Sequence, residues 1–252
     1  MSNIKLKLQY DGTNYSGWQI QPKAATVEKV VTDCIERIFQ EKIKLVGATR
    51  TDAGVHALGQ TANFKTSRID KMPSERQLLR SLNCLLPKDI SVLEVETVDE
   101  NFHSRFDAKG KIYKYQIWSS SVPSPFFYRY CWKIRYNPPL DLEAMNFAGK
   151  FLKGEKDFTS FQGAGCDAKT SVRRIDRVEF KNNGNILEIW IEGSGFLKYM
   201  VRNIVGTLVN IGRGLTSPEQ MEHIINAKDR KAAGETAPAQ GLYLMEVTYK
   251  KL

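Results

Sequence analysis

The sequence predicts an α+β protein, and three observations carry that reading. Apolar residues alternate strictly with polar ones at the start of the chain, segments of helical period lie between strand-like runs, and an Asn182-Asn183-Gly184 turn joins two such runs as a hairpin. Strand-then-helix order occurs in both halves, which predicts two similar subdomains, 1–105 and 106–252. No repeat of fixed period, linker or low-complexity tract separates them, so their sheets are expected to join.

In chain order, Ile4, Leu6, Leu8 and Tyr10 alternate with Lys5, Lys7 and Gln9, the period of a half-buried strand. Val27, Val30, Val31, Cys34, Ile35, Ile38 and Phe39 recur at helical spacing after Thr26, a candidate N-cap. Ala62 and Phe64 suggest a short strand. Pro73 and Ser74 open a helix with a Leu78, Leu79, Leu82, Leu85, Leu86 face that Pro87 ends. Ser91 to Val98 reads as a strand, as does Lys111 to Trp118, with Tyr113, Tyr115 and Ile117 on one face. Tyr130 to Ile134 is its expected partner. Asp141 caps a helix carrying Leu142, Met145, Ala148 and Leu152. Ser171 to Lys181 and Asn185 to Glu192 form the hairpin, and Phe196 to Gly212 reads as a buried helix. Ser217-Pro218-Glu219-Gln220 is a capping box with proline at the first helical position, and Leu242 to Lys250 closes the chain as a strand.

Composition narrows the function. With 42% hydrophobic and 26% charged residues and no apolar run of membrane-spanning length, the 252-residue chain reads as a soluble, cytoplasmic protein. Four cysteines occur singly and read as reduced, core-filling thiols, and three scattered histidines share no metal-ligand spacing, so no metal site is expected. Thirty-seven basic against 28 acidic residues give a net charge of +9, which favours a polyanionic partner such as nucleic acid.

Four clusters hold the candidate chemistry. In Gly47 to Ala57, small residues flank Arg50 and Asp52. Such a short carboxylate, fixed in a tight loop near an arginine, suits attack on an electrophilic carbon; the same pattern also suits an Asp-Ala-Gly turn bonded to nearby amides. In Tyr10 to Gln19, aromatics between glycines suit stacking on bases or plugging the end of a sheet. In Lys109 to Tyr115, lysines alternate with tyrosines, which on a strand lets a tyrosine enter a cleft while Lys111 and Lys114 approach phosphates; a solvated strand with core tyrosines has the same pattern. In Gly195 to Gly206, Arg202 interrupts an apolar helix. A buried guanidinium needs an anionic partner, for which Asp52 is the attractive candidate, unless Arg202 reaches solvent at the helix edge.

Together these clusters resemble the TruA-type tRNA pseudouridine synthases. The motifs run in order across almost the whole chain: Tyr10-Asp11-Gly12 through Gly17-Trp18-Gln19, Arg50-Thr51-Asp52-Ala53-Gly54-Val55-His56, Arg105-Phe106 through Tyr113-Lys114-Tyr115, Phe158-Thr159-Ser160-Phe161, Lys169-Thr170-Ser171-Val172-Arg173, Phe196 through Gly206, and Ala237 through Leu244. Ile112 departs from the pattern, at a place where a basic residue is expected. The resemblance implies the pseudouridine synthase fold, two α+β subdomains sharing an antiparallel sheet with a basic cleft between them. It further implies a homodimer, no cofactor, and a tRNA substrate modified at positions 38 to 40 of the anticodon stem-loop. By the same resemblance Asp52 is the catalytic carboxylate, Tyr113 stacks on the target uracil, and Arg202 pairs with Asp52. Arg50 helps displace the uridine from its helix, and Leu242 packs against the flipped base. Asp52 has three routes open to it: attack at C1′, attack at C6, or proton abstraction from the ribose.

Two other classes compete. A catalytically silent RNA-binding protein needs the basic surface but not the carboxylate of the Arg50-Thr51-Asp52 loop. A glycoside or nucleoside hydrolase needs a second acid near Asp52, for which Asp11 is the one candidate in these clusters.

Overall fold

The structure, a computed structural model, describes residues 1–68, 73–134 and 139–249. The chain divides into two compact units, one of Met1–Lys109 with Tyr243–Leu252 and one of Gly110–Leu242. In this division Tyr243–Leu252 falls with the first unit, whereas the sequence places it in the second subdomain, 106–252. The cause is pairing: β10 (Leu242–Thr248) runs parallel to β3 (His56–Thr66), with Tyr243 opposite His56 and Leu244 opposite Ala57. Lys250, the last residue of the expected strand, lies outside the described residues.

In the first unit, β1 (Ser2–Tyr10) is the middle strand between β3 and β4 (Ile90–Val98), antiparallel to both. The two-residue β2 (Val46–Gly47) adds to β3. The alternation of β1 is realised: Ile4, Leu6 and Leu8 are wholly buried, while Lys5 and Lys7 on the other face pair with Glu96 and Glu94 across β4. Helices α1 (Val27–Phe39) and α2 (Glu75–Leu85) cover the apolar face. Phe39 meets Phe64, the direct partner of Ile4, edge-on at 5.6 Å. Ser74 and Gln77 form the reciprocal capping box that opens α2. Thr26 occupies the N-cap position of α1 but makes no side-chain cap bond, and its hydroxyl is buried without a hydrogen-bond partner.

The second unit is built on β5 (Gly110–Trp118), β9 (Ile186–Gly193), β8 (Val172–Asn183) and β7 (Gly154–Asp157), each antiparallel to the next. The expected partner of β5 shrinks to β6 (Trp132–Lys133) and runs parallel to it. Asn183 pairs with Ile186, so the hairpin turns on Gly184-Asn185, one residue later than expected, where Gly184 supplies φ +64°. Asp141 caps α3 (Leu142–Phe151) through the Ala144 N–H, as its spacing predicts. Helix α4 (Met200–Gly212) begins four residues later than expected, because Tyr199 adopts the left-handed conformation at φ +61° and ends the preceding turn. Helix α5 (Gln220–Ala227) opens at Gln220. Only one arm of the expected box forms, Gln220 Oε1 accepting from the Ser217 N–H at 3.1 Å. No helix among the described residues is long and apolar enough to cross a membrane.

Candidate active site

In the first unit the Asp52 loop hangs between β2 and β3 and is held at several points. Gln60 on β3 donates to the Thr49 carbonyl at 2.8 Å, and the Thr51 carbonyl accepts the Trp18 N–H at 3.1 Å. Asp52-Ala53-Gly54-Val55 is a β-turn closed by the Val55 N–H on the Asp52 carbonyl, with Gly54 at φ +77°. The turn that the Asp-Ala-Gly spacing suits is therefore present, and it uses the main chain of Asp52. The half-buried carboxylate is carried on a backbone fixed at both ends. Glycine is required where the 10–19 segment crosses this loop. A Cβ on Gly12 would stand 2.0 Å from the Val55 carbonyl oxygen, and one on Gly17 would stand 2.5 Å from that of Thr51.

The aromatics of the 10–19 cluster pack into the core of the first unit. Tyr10, Tyr15 and Trp18 are all buried. Tyr10 and Thr51 share a hydroxyl–hydroxyl bond of 2.8 Å, and Trp18 packs 6.1 Å from Tyr10. Tyr15 donates to Asp89 at 2.7 Å, and burial together with that carboxylate holds its phenol well above the usual range. Arg50 is exposed, and its charge reaches Glu28 at the start of α1. Burial raises the Glu28 carboxyl, against the Ile20 N–H and the Arg50 charge, which both lower it.

His56 is a component that sequence reasoning did not single out. Its side chain is buried and stacks on Tyr243 at 4.8 Å, and Nδ1 lies 3.1 Å from both the Gly12 N–H and Asp11 Oδ1. Unprotonated, Nδ1 accepts from Gly12; protonated, it donates to Asp11. The His56 that ends the Arg-Thr-Asp motif was visible in the sequence, but its partners lie some 45 residues upstream and near the other terminus. Asp11 itself is occupied by the Thr13 N–H and hydroxyl at 2.9 and 2.5 Å.

In the second unit, Tyr113 and Tyr115 do share a face of β5, and both are buried. Tyr113 meets Phe196 edge-on at 5.2 Å. Tyr115, fully inaccessible, donates its hydroxyl to the Pro238 carbonyl at 2.7 Å, and burial pushes its pKa far up. Arg202 sits in the first turn of α4, half-exposed. Its Nε donates to the Ala237 carbonyl at 2.7 Å, and its guanidinium lies 4.9 Å from the Tyr199 ring centre. Leu242 is buried.

The two lysines expected to approach phosphates each make a contact within the unit. Lys111 is 9% exposed and donates to the Ser194 carbonyl at 3.3 Å. Lys114 pairs with Glu188 at 3.3 Å, both side chains 13% exposed, and stands 5.6 Å from the Trp190 ring centre. Strand alternation places Lys114 opposite the tyrosine face; that this face is covered by β9 residues some 75 positions away could not be read from local pattern. Of the cysteines only Cys131 is buried, its thiol pushed up to about 11 by burial; Cys34 and Cys166 are intermediate and Cys84 is exposed, so the core-filling expectation holds for one of four. Cys84 faces out because it falls off the Leu78–Leu82 stripe of α2.

Comparison with known proteins identifies the class to which this chain belongs. The sequence profile described as tRNA pseudouridine synthase matches residues 8–107 and 148–250, and this chain belongs to that family of tRNA-modifying isomerases. Relatives called tRNA pseudouridine synthase A align with it from end to end. One from a Thermoanaerobacter species is 43% identical over 249 residues, covering 99% of this chain and 100% of the relative. One from Acetivibrio thermocellus is 45% identical over the same shares, and one from Francisella tularensis is 41% identical over 99% of this chain and 95% of its own length.

Proposed function

We propose that this chain converts uridine to pseudouridine at positions 38 to 40 of the tRNA anticodon stem-loop, with Asp52 as the catalytic carboxylate. The observation that carries the reading is the Arg50-Thr51-Asp52 loop, half-buried and pinned to β3 and to the glycine-rich 10–19 segment. The reaction breaks N1–C1′, turns the uracil, and forms C5–C1′; the C5 proton leaves to solvent and N1 regains one, so the sum is an isomerisation needing no cofactor. Attack at C1′, attack at C6 and abstraction from the ribose all demand an ionised carboxylate at a fixed angle, which a braced loop supplies.

Extruding the target base costs a few kcal/mol, offset by stacking and phosphate contacts. In this reading Tyr113 stacks on the uracil, Leu242 packs against it, Arg202 holds the catalytic carboxylate ionised and aimed, and Arg50 displaces the nucleotide. Lys111 and Lys114, bonded to Ser194 and Glu188, brace β5, the strand that carries Tyr113. The working form is a cytoplasmic homodimer.

The test is release of tritium from tRNA carrying 5-³H-uridine, with free uridine as control. Release from tRNA alone, at one or more of positions 38 to 40, is the expected result. Binding without release would favour the silent RNA-binding alternative, and cleavage to free uracil would favour a hydrolase.

A further inference from the structure

One residue beyond Arg202, α4 carries a side chain that no part of the reaction above uses. Asn203 is fully buried, and each of its polar atoms is engaged. Nδ2 donates to the Phe161 carbonyl at 2.8 Å, while Oδ1 accepts from Arg230 Nη2 at 3.0 Å and from the Thr236 hydroxyl at 2.6 Å. Arg230 closes the triangle by donating to Thr236 Oγ1 at 3.0 Å. A buried amide with three partners of this geometry is costly to disturb and defines a single arrangement.

What that arrangement holds is the backbone that holds Arg202. Thr236 precedes Ala237, whose carbonyl accepts from Arg202 Nε at 2.7 Å and whose N–H donates to the Arg202 carbonyl at 3.2 Å. The rest of the helix face is cut to let this segment lie against it. A Cβ on Gly206 would stand 1.8 Å from the Glu235 carbonyl oxygen, and Gly234 comes close enough to donate to Thr207 Oγ1 at 2.9 Å. Asn203, Gly206 and Thr207 recur at the three- and four-residue spacing of one face. Tyr115 anchors the next residue through the Pro238 carbonyl.

We propose that Asn203, with Thr236 and Arg230, is a positioning device that acts on the reaction through Arg202. The triangle fixes the Ala237 carbonyl, and that carbonyl fixes the plane of the guanidinium, so Asn203 and Thr236 set catalytic geometry without touching substrate. The proposal rests on the role given to Arg202 above. A guanidinium with Nε engaged can swing only about the remaining side-chain torsions, and a shift of about 1 Å at a catalytic group is enough to cost about a hundredfold in rate.

The test uses full-length protein and tRNA, reading single-turnover rate, tRNA Kd and Tm. Thr236→Val keeps shape and removes the donor. It should slow the single-turnover rate by about tenfold or more with Kd near that of the wild type and only a modest fall in Tm, while Thr236→Ser, which restores the hydroxyl, should recover most of the rate. Arg230→Lys, at a half-exposed position, keeps the charge but loses the fork, and should repeat the effect. The decisive comparison is Thr236→Val in an Arg202→Ala background, where it should produce no further slowing. Full multiplicative slowing there would overturn the proposal, as would wild-type rates for both Thr236→Val and Arg230→Lys beside a slow Arg202→Ala enzyme; Arg202's own role would then stand. A fast Arg202→Ala enzyme would instead remove that role, and the proposal with it.

Discussion

The hydroxyls of Tyr10 and Thr51 lie 2.8 Å apart inside the first unit, so the end of β1 is bonded directly to the residue before Asp52. Both side chains are buried. The middle strand of this unit and the Asp52 loop are therefore one rigid piece, and a loop of otherwise small residues holds its shape because a strand end grips it.

That relationship predicts an effect of Thr51→Val. The substitution keeps volume but removes the Thr51 hydroxyl from its bond with Tyr10, at a cost of about 0.5–1.5 kcal/mol. Urea unfolding should show the loss, and single-turnover rate should fall while tRNA Kd changes little. A stability loss with an unchanged rate would show that the grip is structural only.

Asp52→Asn and Asp52→Ala should abolish pseudouridine formation and leave tRNA binding largely intact. Substantial turnover by either variant, read as tritium release, would remove Asp52 from the mechanism.

The two tyrosines of β5 should separate. Tyr113→Phe keeps the ring but loses the hydroxyl; if that hydroxyl moves a proton, the rate should fall by about 10²–10⁴-fold with affinity kept. Tyr113→Leu should lose affinity as well. Tyr115→Phe leaves the Pro238 carbonyl without its donor and should lower Tm, with a rate well above that of Tyr113→Phe. The reverse order of rates would exchange the two assignments.

Salt dependence should distinguish the basic residues. Deleting a cation that neutralises one phosphate lowers the slope of log affinity against log salt by about 0.7–0.9. Arg50→Ala, at an exposed position, should lower it. Lys114→Ala should leave the slope unchanged and instead reduce stability, because Glu188 is left mostly buried without that partner. An equal drop in slope for both would mean that Lys114 leaves Glu188 for the RNA.

Acid should expose a brace within the second unit. The Ser171 hydroxyl, the Thr159 hydroxyl and N–H, and Lys228 hold the Asp157 carboxyl well below the usual carboxylate range. Because the folded-state pKa is lowered, the stabilisation is present above the unfolded value, about 3.9, and is lost as pH falls through the folded value. The gap in urea midpoint between wild type and Asp157→Asn should thus be full at pH 7 and shrink below about pH 4. A gap independent of pH would assign the loss to packing.

Local pattern was sufficient wherever the cause of structure is local. The alternation of β1, the Ser74–Gln77 box, the Asp141 cap and the shared face of Tyr113 and Tyr115 depend on residues within a turn or a strand of one another, and all are present. The ordered motifs, with Asp52 among them, placed the chain in its family from sequence alone. Tertiary structure alone decided what distant partners do. It closed Trp18 and Tyr10 into the core, drew Lys114 to Glu188 across 74 residues, and carried β10 back to β3. It also gathered Phe161, Asn203, Arg230 and Thr236 into one network. A side chain's neighbours along the chain determine its backbone geometry and the direction it faces. What it meets there depends on contacts closed over long sequence separations, and those exist only once the sheet and α4 have formed.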